Sequence, residues 1–166
     1  MILHLSRALA KRLKCDLSFK EAKVAQTGRE DSWSADIFRI PRAGTHALIM
    51  HDASLWPIIM DVRLYKTYES FLQHLLLHIE ASYMMVNGDF DGANITVVAT
   101  KRSNRSIIGS MNNAIYLIES YVEQAMTMDN EIDWLDVQSH LANTPFMSLP
   151  DHFPAKAFIN MVGRPL

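Results

Sequence analysis

Between Lys101 and Ser106 the chain reads Lys-Arg-Ser-Asn-Arg-Ser, six polar residues of which three are cationic. An apolar run, Ile95 to Ala99, precedes them and a helical pattern follows. A turn between a strand and a helix exposes backbone N–H groups and the positive end of the helix dipole, which together favour an anion. Arg102 and Arg105 can add charge-assisted hydrogen bonds, Ser106 or Ser110 can cap the helix, and Gly109 permits close backbone approach. With Asn104 and Asn112 these make a candidate ligand set: Arg102, Asn104, Arg105, Ser106, Gly109, Ser110 and Asn112. The expected ligand is a phosphate of a nucleotide or nucleic acid. The same residues also read as caps, a turn and solvent-facing arginines, and the glycine spacing is not that of a phosphate loop or a dinucleotide fingerprint.

Two other groups of residues have chemical potential. His51, Asp52 and Ser54 end an apolar run, and His51 is a candidate general acid or base, with Asp52 beside it, if that end lies next to the cationic loop. The composition would then be that of a phosphodiester-cleaving site, with His51 and Arg105 as its working pair. A histidine followed by a helix-capping aspartate is the structural alternative. His74 and His78 stand four residues apart, so on a helix they share a face and can hold a metal. The HLLLH run lacks the glutamate of a zinc-protease helix and has no third ligand fixed by spacing, so no metal and no cofactor are assigned. His4, His46, His140 and His152 are scattered and receive no role.

These residues need elements to position them. Ile2 to Leu5 reads as a strand and Ser6 as the cap of a short basic helix carrying Leu9, Ala10 and Leu13. Asp16 to Ser32 has no sustained period and reads as a long connection, with one helical turn near Phe19 to Val24. Trp33 to Ile40 and Thr45 to His51 alternate in polarity around Pro41-Arg42-Ala43-Gly44, a β-hairpin. Leu55 to Ile59 is expected to form a short helix capped by Asp52 or Ser54, with Pro57 in its first turn. Thr67 to Val86 gives the strongest helical period in the chain. Ile95 to Ala99 reads as a buried strand, and a helix begins near Ser110 and runs through Met111, Ala114, Ile118 and Val122. Asn130 to Leu141 and Ala155 to Val162 are expected as further helices around a proline-broken stretch.

The run Asn104-Arg105-Ser106-Ile107-Ile108-Gly109-Ser110-Met111-Asn112-Asn113 resembles the N-R-S-x-x-G-S-M-N signature of a bacterial family known only as a domain of unknown function. The opening MILHLSRALAKRL and the hairpin from Trp33 to Ser54 are similar to that family's first half, so the resemblance extends to about Ser120. It implies a site at Asn104 to Asn113 and an intracellular bacterial origin, and it brings no reaction with it.

Composition bounds the rest. The 166 residues suit one domain spanning 1–166, and 49 % apolar with 20 % charged residues is ordinary for a globular protein. A net charge of −2 gives no global field for nucleic acid. One cysteine, Cys15, forms no internal disulfide, no window is long and apolar enough for a membrane span, and the expected location is the cytoplasm. Ten methionines, among them Met84, Met85, Met126, Met128 and Met147, fill a core or line a partner surface. The fold class is α+β: a single domain with an antiparallel or mixed sheet of about four strands packed against two main helices. The leading function is binding of a phosphate-bearing small molecule or nucleic acid. The alternatives are a protein-interaction module of a plasmid- or phage-related regulatory pair, and a small hydrolase or nuclease.

Overall fold

Ile2–Leu5 (β1) lies between two parallel neighbours, Ser32–Ile40 (β2) on one side and Val98–Lys101 (β5) on the other. Antiparallel Gly44–His51 (β3) and Pro57–Asp61 (β4) extend the sheet to the order β4-β3-β2-β1-β5. A computed structural model gives this arrangement and describes residues 1–17, 32–92 and 94–163. The helices are Arg7–Arg12 (α1), Tyr68–Met85 (α2), Arg105–Thr127 (α3), Trp134–Ala142 (α4) and Pro154–Val162 (α5). The protein is thus α+β with one mixed sheet, but with five strands where about four were expected and four substantial helices where two were.

Strand alternation divides the sheet into two faces. Leu3, Leu5, Trp33, Ala35, Ala47, Ile49, Ile58 and Met60 point to one face, where Leu9 of α1 and Phe71, Leu75 and Ile79 of α2 cover them. Phe38, Ile40, Leu48, Met50 and Ile59 point to the other, beneath Ile107, Met111, Ala114, Ile118 and Val122 of α3 and Val137 and Leu141 of α4. Burying apolar side chains at roughly 25 cal/mol per Å² is what holds these layers together. Phe158 of α5 closes one end of the first layer, fully buried and stacked on Trp56 with ring centroids 4.9 Å apart.

The structure corrects several element boundaries. Leu55 to Ile59 contributes to no helix: Leu55 takes φ 59°, turning the chain sharply, and Pro57 opens β4. Proline is tolerated at the first position of an edge strand, and Ile58 and Ile59 favour the pleat. β5 starts at Val98 instead of Ile95, because pairing with β1 sets its register at Val98 opposite Ile2. α3 starts at Arg105, five residues before Ser110, and α4 starts at Trp134 behind its cap Asp133. The turn expected near Phe19 to Val24, and nearly all of its connection, lies outside the described residues. Among those residues no helix is long and apolar enough to cross a membrane.

His46 shows how the second layer constrains a titratable group. Its ring lies between Phe38 and Trp134, 3.8 Å from the latter's centroid, and its Nε2 is 3.1 Å from the Ala43 carbonyl oxygen. Burial holds its pKa below the ordinary 6.5, outweighing the Ala43 carbonyl and Asp61, which pull upward. The unfolded chain therefore binds the extra proton first, and stability falls as pH drops below the ordinary histidine value. Denaturant unfolding at about pH 7.5 and about pH 5.5 should show this loss, and it should be smaller in His46→Gln.

Candidate functional site

On the half of the second face formed by β1 and β5, Ile2 and Val98 give way to polar side chains toward the C-terminal ends of the strands. Register sets Ser34, His4 and Thr100 side by side on it, and Asp52, just past β3, lies on the same side. The Thr100 hydroxyl oxygen is 2.7 Å from His4 Nδ1, and His4 Nε2 is 3.7 Å from an Asp52 carboxylate oxygen. In the tautomer with its proton on Nε2, Nδ1 accepts from Thr100 and the Nε2 proton is turned toward the carboxylate, so hydroxyl, imidazole and carboxylate stand in one polar row. Ser34 Oγ, fully buried beside His4, has no hydrogen-bond partner among the described residues. A buried hydroxyl left without a hydrogen-bond partner is costly.

Asp52 also forms part of the wall of an open cleft of about 570 Å³. Ser106, Ile107 and Ser110 from the first turns of α3 form a second wall, and Ser148, Leu149 and Pro150 a third. Ser110 and Ser148 hydroxyls are 3.4 Å apart across it. Asp52 is 6 % exposed, and its backbone N–H donates to the Ser32 carbonyl at 2.8 Å, which fixes it at the rim of the sheet.

The expected ligand set separates into three groups. Ser106 and Ser110 reach the cleft together with Asp52. Asn104 and Arg102 are engaged internally. The Asn104 side-chain oxygen accepts from Ser106 N at 3.0 Å and Ile107 N at 3.4 Å, so Asn104, instead of Ser106 or Ser110, caps α3. Arg102 donates to Asp36 at 2.6 Å and contacts Met111 sulfur at 3.2 Å. Arg105, Gly109 and Asn112 lie exposed on α3, outside the cleft walls.

His51 and Asp52 diverge, as consecutive strand residues must. The His51 side chain enters the first layer, fully buried, with Nδ1 2.9 Å from the Ser54 hydroxyl and its ring against Trp33 and Phe158. The structure therefore does not bring His51 and Arg105 together. His74 and His78 share the outer side of α2, where His74 Nδ1 lies 2.9 Å from the Ser70 carbonyl. No group of three or more metal-ligating side chains exists among the described residues.

With the cleft and its walls defined, comparison with known sequences places the chain. A family model, the domain of unknown function DUF6933, matches residues 2–157. The chain belongs to that family. The match spans all five strands, the cleft walls and the whole of α3, so the site described lies within the matched region. No curated protein and no solved structure matches the chain.

His4, Thr100, Ser34 and Ser148 escaped sequence reasoning. Each is unremarkable alone, and only the β1–β2 and β1–β5 registers and the fold of the Pro145–Pro154 stretch bring them to one place. Gly109 offers a local test. It is exposed within α3, and an added Cβ would meet nothing within 4 Å, so no internal crowding requires glycine there. Gly109→Ala should stabilise the chain by about 1 kcal/mol, while Asn104→Ala should cost about 1 kcal/mol through the lost cap. Urea denaturation of the two variants measures both signs.

Proposed function

We propose that this DUF6933 domain binds a phosphate-bearing small molecule of the nucleotide class in the cleft between Asp52 and the start of α3. The observation that carries the reading is the pairing of two chemistries on its walls. Ser106, Ser110 and Ser148 offer hydroxyls that donate to phosphate oxygens, and Asp52, backed by His4, accepts from a ribose hydroxyl or a base amino group. Neither wall alone suits a nucleotide, since a carboxylate repels a bare anion. A long nucleic acid fits less well. Residues 106–155 contain seven acidic residues and neither lysine nor arginine, so the surface beyond the cleft repels a polyanion.

A second reading, a protein-interaction module, is favoured by the outer side of α2, where Leu77, Met84 and Met85 are 62–72 % exposed. The reading as a hydrolase built on His51 and Arg105 has no support from the geometry, because those side chains lie on opposite sides of the sheet layer.

A thermal-shift series with nucleoside monophosphates, nucleosides and inorganic phosphate tests the first reading. A monophosphate should stabilise the protein more than either fragment, by about 2.7 kcal/mol at a hundredfold excess over Kd. The gain should be lost in Asp52→Asn and reduced in Ser110→Ala. No stabilisation by any monophosphate would remove the nucleotide from the cleft and leave the interaction module.

A further inference from the structure

The outward side of α3 carries an ordered stripe that the cleft does not use. Arg105, Gly109, Asn112, Tyr116, Glu119 and Glu123 recur at alternating spacings of four and three residues, and all are exposed. At 3.6 residues per turn they fall within about 40° of one line along the helix. That line lies about 140° round the helix from the mean direction of the buried residues Ile107, Met111, Ala114, Ile118 and Val122, and toward its C-terminal end Glu119 and Glu123 also border a hollow beside Pro41 and Arg42 of the β2–β3 turn. A four–three alternation is the seam spacing of two helices lying side by side. Tyr116, 66 % exposed, is a large aromatic left in solvent on this seam, and Gly109 is a flat spot where the fold itself leaves open space.

The order of residues along the seam is complementary to its own reverse. Arg105 stands seven residues before Asn112 and Glu119 seven after it, while Gly109 lies three before and Tyr116 four after. We propose that α3 pairs antiparallel with α3 of a second copy of this chain, about a two-fold axis at Asn112. Arg105 of each copy then faces Glu119 of the other, with Glu123 in the next turn. Tyr116 of each packs over Gly109 of the other, where no Cβ stands in its way. The Asn112 side chain carries both a donor and an acceptor, so it pairs with its own counterpart.

Charge decides for a second copy and for this direction. A parallel pair would set Arg105 against Arg105 and Glu119 against Glu119, whereas the antiparallel pair opposes unlike charges twice and also opposes the helix dipoles. An isologous contact of this kind closes on itself and gives a dimer, not a fibre. Its attraction is partly ionic and exposed, so it weakens with added salt.

Sedimentation equilibrium on the full chain tests the pairing. The parent protein should show a monomer–dimer equilibrium. Arg105→Glu and Glu119→Arg should each weaken association by about tenfold or more, since each variant creates two like-charge contacts. The double variant carrying both substitutions should restore it, which a merely structural role of either residue would not produce. Gly109→Gln should abolish the dimer while leaving the monomer at least as resistant to heat, because glutamine favours a helix over glycine. A parent protein that stays monomeric up to its solubility limit overturns the proposal. So does a dimer that Arg105→Glu and Gly109→Gln leave intact.

Discussion

Arg102 leaves the end of β5 with its guanidinium turned across β1 to Asp36 on β2, 2.6 Å away, and both side chains are largely shielded from water. The second Asp36 oxygen accepts the Ile37 N–H at 2.8 Å, so the carboxylate is held from two directions. The guanidinium in turn touches Met111, which lies two turns into α3. One charge pair thereby ties two strands, the strand between them and the helix that follows. Two residues on, Asn104 caps α3 and fixes its first turn. The direction in which α3 crosses the sheet, and hence which side chains face the cleft and which face out, depends on this clamp.

The clamp also explains why the second face of the sheet is divided. α3 and α4 cover the part made by β3, β4 and the second half of β2, where Phe38, Leu48, Met50 and Ile59 supply an apolar floor. β1 and β5 add no residue to that apolar cluster, and past Ile2 and Val98 the floor becomes His4, Ser34 and Thr100, with Asp36 and Arg102 beyond. Apolar burial stabilises the covered half, while the other half gives up that stabilisation and keeps groups able to meet a polar molecule. Charge is divided in the same sense. The basic residues gather up to Arg105, and beyond that first residue of α3 the helices of the second layer carry acids and neither lysine nor arginine.

Much of the scaffold was legible in the sequence because period and turn chemistry are local. The α2 pattern from Thr67 to Val86 and the hairpin around Pro41 to Gly44 both stand where the alternation of apolar residues puts them. Non-local pairing was not legible. Ile58 and Ile59 make a strand because β3 offers them an edge, and β5 shifts toward Lys101 because β1 dictates its register. At the candidate site the strand–loop–helix motif was visible, yet the partner of its first arginine was not, since Asp36 is 66 residues away in sequence. The alternation that separates His51 from Asp52 was in principle readable, and it is what sends one into the core and the other to the cleft.

A double-mutant cycle on Asp36→Asn and Arg102→Gln, read by urea denaturation, tests the clamp most directly. A charge-assisted pair this shielded should give a coupling energy of about 1.5–3 kcal/mol. Losses that simply add, within about 0.5 kcal/mol, would show that the two side chains do not hold the sheet and α3 together.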